Sequence, residues 1–238
     1  MEYGFVADRL REAEERIDAA ARRAGRSSKE VRVLAVTKFH PVEAVRTAYA
    51  AGVRVFGENR LQEALEKYPE FLSSHADASV HMIGHLQGNK VKKAVELYEC
   101  IQSVDSVDLL VEIDKRAKAA GRRVDVMLEL HTGEESKSGF PDRAAVLEAC
   151  SRAEGLESVR LRGLMTMAPF TDDLKAVRAS FRSLRSLFEE IAASRAFPSF
   201  DGLSMGMSND FETAVEEGST LLRLGTFLFG PRRDQDAV

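Results

Sequence analysis

Lys38 closes a short apolar run, Val33, Leu34, Ala35, Val36 and Thr37, and Pro41 follows it as the opening of a helical pattern. Side chains alternate along a strand, so Leu34, Val36 and Lys38 share one face. An amine at the head of such a column is disfavoured as an ammonium if it is buried, and a neutral amine is a nucleophile that forms a Schiff base with a carbonyl compound. The plainer alternative is a lysine whose stem covers apolar surface while its ammonium reaches water. Two further stretches carry anion-binding chemistry: "GLSMGMSND" at 202–210 and "LLRLGTFLFG" at 221–230. Their candidate donors to a phosphate are Ser204, Ser208, Gly225 and Thr226. Ordinary cap chemistry competes there, with Ser208 or Asp210 capping a helix that holds Ala214 and Val215. Arg223 lies inside an apolar strand on the face of Gly225, so its guanidinium needs an acceptor. A carboxylate such as Glu129 is one, and an aromatic ring nitrogen is another. Opposite a pyridine nitrogen, an arginine keeps that nitrogen unprotonated and weakens the ring as an electron sink.

The elements that position these groups follow from periodicity. Val6, Leu10, Ala13, Ile17, Ala20 and Ala24 recur at spacings of three and four ahead of Gly25, which predicts an amphipathic helix over 5–24 with a left-handed cap. Apolar or β-branched runs then predict strands at 31–37, 53–56, 80–84, 100–104, 124–131, 159–166, 202–205 and 221–229, with helical patterns between them at 41–51, 106–120 and 172–194. Alternation of this kind gives right-handed βαβ units and a parallel sheet. Eight strands permit closure, and the N-terminal helix can take the place of a helix after the last strand. The expected fold is therefore α/β: a single (β/α)8 TIM barrel over 1–238. An open doubly wound sheet is the alternative, but its dinucleotide form carries G-x-G-x-x-G after an early strand, and the sequence has no such stretch. In a barrel, reactive groups gather at the C-terminal ends of the strands, and phosphate sites form after strands seven and eight. Lys38 and both serine-glycine loops fall at such ends.

Composition narrows the function classes. The 238 residues suffice for a sizeable core, and 34 basic against 38 acidic residues leave a formal charge of −4 with no footprint for nucleic acid. Cys100 and Cys150 are too few for a disulfide framework and suit a reducing compartment. No apolar run is long enough for a membrane span or a signal peptide, so a cytoplasmic protein is expected.

Eight motifs at matching positions carry a resemblance: "VTKFHP" (36–41), "FGENRLQE" (56–63), "HMIGHLQGNK" (81–90), "IQSVDS" (101–106), "GEESKSGF" (133–140), "RGLMTMAP" (162–169), "LSMGMSNDFETAVEEGST" (203–220) and "RLGTFLFG" (223–230). Together, in order and over nearly the whole chain, they resemble the pyridoxal phosphate homeostasis protein family. The resemblance implies a barrel similar to the N-terminal domain of alanine racemase, with pyridoxal 5′-phosphate (PLP) held as a Schiff base by the lysine corresponding to Lys38. It further implies that Asn59 lies beside the cofactor, Met165 lines its pocket, Ser204, Gly225 and Thr226 belong to the phosphate cradle, and Arg223 faces the pyridine nitrogen. The implied role is vitamin B6 homeostasis: binding and delivering PLP, with apo PLP-dependent enzymes as candidate recipients and no established reaction. A monomer or weak dimer is expected. Phe39, His40, Arg60 and His131 depart from the usual pattern, at the rim more than at the cradle.

Two enzyme readings compete with the carrier. An amino-acid racemase needs a second base, which alanine racemase takes as a tyrosine from a separate β-domain that 238 residues leave no room for. A Schiff-base aldolase usually carries its lysine on a later strand. Among the other candidates, His81 and His85 have no third ligand in view and do not predict a metal site. Lys90, Lys92 and Lys93 read as a solvated helix face, and "GEESKSGF" as a polar loop that could form a lid over 134–139. Met165, Met167, Met205 and Met207 read as barrel packing or as thioether contacts to a ring.

Overall fold

The computed structural model describes residues 3–133 and 138–231. Eight parallel strands close into a barrel in chain order. They are β1 (Arg32–Val36), β2 (Val55–Glu58), β3 (Ser79–Met82), β4 (Cys100–Val104), β5 (Val124–Glu129), β6 (Val159–Met165), β7 (Gly202–Ser204) and β8 (Leu221–Leu224). Closure runs through β1 and β8, with Leu34 level with Arg223. The intervening helices are α2 (Val42–Ala50), α3 (Leu61–Ser74), α4 (Val91–Leu97), α5 (Val107–Ala119), α6 (Arg143–Ala153), α7 (Leu174–Ser194) and α8 (Phe211–Glu216). No helix among the described residues is long and apolar enough to cross a membrane.

The N-terminal helix, α1 (Val6–Arg23), ends before Gly25 at φ 67°, as the periodicity predicts. It closes the outer ring by pairing Arg16 with Glu212 at 2.6 Å and Arg23 with Glu216 at 2.8 Å on α8. The strand expected over 221–229 is shorter. After Leu224 the chain breaks at Gly225 and coils into α9 (Thr226–Phe229), whose Phe227 carbonyl accepts from Arg9 of α1 at 2.9 Å. A short apolar run satisfies a strand and a buried helical turn equally, and here α1 offers the turn its packing partner.

Two apolar layers result. Leu34 and Val36 pack inside the barrel with Cys100, Met127, Met165 and Leu221. Ala35 and Phe56 point outward, into the larger core between strands and helices. Both cysteines are free and buried.

Candidate functional site

The apolar column of β1 delivers Lys38 to the barrel mouth, where its half-buried side chain lines a cleft of about 400 Å³. Asn59, after β2, and Ile83, after the neighbouring β3, line it together with Met167 and Pro169, which follow β6. Ser208, after β7, and Gly225 and Thr226, after β8 beside β1, also line it, as does the buried Arg223 of β8. Asn59 Oδ1 is buried without a hydrogen-bond partner. Such an orphan in a cleft wall is an unfilled position for a polar ligand, because a buried acceptor left unpaired is costly.

The two serine-glycine loops interlock. Ser208 Oγ accepts the Phe227 N–H at 3.0 Å, so the loop after β7 is stitched to the first turn of α9, and the hydroxyl proton remains available. Asp210 is the N-cap residue of α8 but makes no side-chain cap bond; its Oδ1 accepts the Met207 N–H at 2.6 Å instead. Neither residue is therefore spent on capping α8.

Ser204 has a different place from Ser208. It is fully buried at the end of β7, where Arg223 Nη1 donates to its Oγ at 2.7 Å and its own proton goes to Gln102 Oε1 at 2.6 Å. Gln102 Nε2 then bonds His81 Nδ1 at 2.8 Å. The other arm of Arg223 donates to the Thr166 carbonyl at 2.8 Å. Ser204 thus belongs to a polar belt that crosses the barrel beneath the cleft and fixes the guanidinium. Met165 is also fully buried, in the interior cluster, and Met167 and Met207 are the methionines that line the cleft. Gln102 and Thr166 were not singled out in the sequence: a glutamine inside the apolar strand "CIQSV" is the signal that marks the belt.

Glu129, at the end of β5, is held to Arg223 by charge and not by a hydrogen bond of its own; Ser138 Oγ donates to its Oε2 at 3.2 Å. Burial pushes this carboxyl from its ordinary 4.5 up to about 7, against the pull of Arg223 and the Ser138 bond. The folded chain therefore keeps a proton that the unfolded chain releases between pH 4.5 and about 7, and stability falls as pH rises through that window. Replacing Glu129 by Gln is expected to remove up to about 3 kcal/mol of that decline. Urea midpoints of both proteins at pH 5 and pH 8 measure it; parallel profiles would exclude Glu129 as the source.

His85 Nδ1 pairs with Asp105 at 2.9 Å, while burial, then Arg32 and Arg162, lower His81 to about 3. No group of three or more possible ligands exists among the described residues. The lid expected at 134–139 falls largely on residues 134–137, outside the described residues.

Residues 9–233 match the family described as alanine racemase, N-terminal domain, which defines the class of this barrel. The alanine racemase of Clostridium difficile 630, in complex with cycloserine, superposes with a TM-score of 0.74 at 15% identity, over 96% of this chain and 61% of that one, a likeness of fold alone. The "Pyridoxal phosphate homeostasis protein" of Aquifex aeolicus is 40% identical over 95% of this chain and 98% of its own. PipY of Synechococcus elongatus PCC7942, whose structure was solved with PLP bound, is 36% identical with a TM-score of 0.82, over 94% of this chain and 100% of that one. The chain belongs to the pyridoxal phosphate homeostasis protein family.

Proposed function

We propose that the chain binds PLP in this cleft through Lys38 and serves to hold and deliver it, in the cytoplasm, as a monomer or weak dimer, with apo PLP-dependent enzymes as recipients. The observation that carries this reading is the convergence of Lys38, the orphaned Asn59 Oδ1 and the buried Arg223 guanidinium on one cleft. When bound, the cofactor supplies an aldehyde that condenses with a lysine amine and a conjugated ring that withdraws electrons. Lys38 presents the amine. Asn59 offers an unmatched atom to the polar edge of the ring, and Ile83 and Met167 exclude water from its surroundings. Ser208, with Gly225 and Thr226, supplies donors to the phosphate. Arg223 presents N–H donors and no acceptor to the ring nitrogen, held there by Ser204 and the Thr166 carbonyl.

The test is attachment. Protein incubated with equimolar PLP and treated with borohydride is expected to carry one adduct, on Lys38, when its peptides are mapped by mass spectrometry. An adduct on Lys90 or Lys137 would overturn the assignment.

A further inference from the structure

Lys38 occupies the second position of a four-residue turn, Thr37–His40, closed by the His40 N–H on the Thr37 carbonyl at 3.0 Å. The third position, Phe39, has φ 66°, and only Arg195 shares a positive φ among the described non-glycine residues. A turn with a positive φ at its third position alone is of type II, which ordinarily places glycine or asparagine there. A bulky side chain in this conformation is strained and persists only where its surroundings impose it. The relaxed alternative, type I, rotates the Lys38–Phe39 peptide and returns Phe39 to negative φ.

The surroundings that impose the strained form come from α3. The Phe39 N–H, part of the peptide that would rotate, donates to Glu63 Oε1 at 2.7 Å. On the other side of the lysine, the Thr37 carbonyl accepts from Lys67 Nζ at 2.9 Å. Glu63 and Lys67 stand one helical turn apart and pair with each other at 2.8 Å. Lys67 completes its three donations at Glu58 Oε1, also 2.8 Å away, and all three of its partners surround the base of the turn. Thr37 Oγ1 donates to the same Glu58 oxygen at 2.7 Å and so accepts from the Tyr68 hydroxyl at 2.6 Å. Side-chain exposure is 6% at Lys67, zero at Glu58 and 24% at Glu63, so this network lies between the barrel and α3 with only Glu63 partly open to solvent, and none of these three residues lines the cleft. A buried ion pair of this kind is weak evidence for stability and better evidence for fixing one geometry.

We propose that Glu63 and Lys67 are positioning residues for Lys38. They hold the two peptide groups on either side of it, and Glu63, by taking the Phe39 N–H, selects the strained turn that aims the lysine side chain into the cleft. The proposal rests on PLP attachment at Lys38.

The experiment compares two ligands: PLP, and pyridoxine 5′-phosphate, which has the same ring and phosphate but an alcohol where PLP has its aldehyde. Their affinity ratio isolates attachment from cleft binding. In Glu63→Ala the ratio is expected to fall about tenfold, the factor set by about 1.4 kcal/mol of backbone strain, with pyridoxine 5′-phosphate bound as in the unmodified protein. Adding Phe39→Gly is expected to restore it, since glycine takes positive φ without strain. Glu63→Gln, which keeps an acceptor oxygen, is expected to stay within about threefold and serves if the alanine variant does not fold. An unchanged ratio in Glu63→Ala, an equal loss of both ligands, no recovery with Phe39→Gly, or a tenfold loss in Glu63→Gln overturns the proposal. Absence of the borohydride adduct on Lys38 in the unmodified protein is a separate result, seen before any variant is made, and removes the reading on which this one stands.

Discussion

Pyridoxal, which lacks the phosphate, is expected to bind about 10²- to 10⁴-fold more weakly than PLP, the consequence of losing two charge-assisted hydrogen bonds worth about 1.5–3 kcal/mol each. Ser208 is the side chain best placed to make one. Its oxygen already accepts from Phe227, and its proton remains to be given. Ser208→Ala and Thr226→Ala should each weaken PLP by about 1–3 kcal/mol while leaving pyridoxal nearly unchanged. Ser204→Ala should behave differently. Its hydroxyl is committed to Gln102 and Arg223, so its loss loosens the guanidinium under the ring and should affect both vitamers alike. Absorbance titrations of the three variants with both ligands distinguish these patterns. A phosphate-specific loss in Ser204→Ala would return that serine to the cradle, and equal affinity of the unmodified protein for both vitamers would reduce the loops to turns.

The contrast between the two serines shows what a sequence conveys about such a site. Alternation along β1 puts Leu34 and Val36 inside the barrel and brings the chain to the mouth just before Lys38, because period two is a property of the strand itself; the turn that carries Lys38 lies beyond that strand. Closure with eight strands and the stand-in role of α1 were readable for the same reason, each resting on local periodicity. Ser204 and Ser208 are four residues apart in one motif, yet one is sealed in the barrel and the other faces the cleft. That difference depends on where β7 stops, at Ser204, and local propensity does not fix the end of a three-residue strand. β2 shows the same effect: the apolar run predicts a strand over 53–56, and the strand runs from Val55 to Glu58, through Gly57. A Cβ at Gly57 would sit 2.4 Å from Leu34 Cδ2, so the leucine of the neighbouring strand fills the space that the glycine leaves. The grip of Glu63 and Lys67 on the Lys38 turn was not readable either. It pairs residues 24 and 30 positions away from their partners, and only the packed barrel brings them together.

Exchange of the α-proton of L- or D-alanine in deuterated water, with stoichiometric PLP-loaded protein, is expected to run about 10²- to 10⁴-fold slower than in an enzyme with a positioned second base, the usual worth of such a base. Racemisation removes a proton on one face of the ring and returns one on the other, and Lys38 serves one face only. The four tyrosines of the chain are placed elsewhere. Tyr3 bonds His40, Tyr49 bonds Asp77, Tyr68 bonds Thr37, and Tyr98 is buried. None of them lines the cleft. Glu129, titrating at about 7, would be the right base by strength, but it is only 2% exposed and the cleft lining does not include it. Arg223 adds a second restraint, because a guanidinium opposite the ring nitrogen has no proton acceptor and favours the unprotonated, weakly electron-withdrawing ring. Alanine racemase works under the same restraint, so the second base, and not the arginine, sets the expected rate: among the described residues no tyrosine lines the cleft, and the carboxylate that does, Asp210, accepts the Met207 N–H at 2.6 Å. Proton exchange followed by NMR in the unmodified protein and in Lys38→Ala decides between carrier and enzyme: exchange at enzyme-like rates that disappears with Lys38 would make this barrel a racemase.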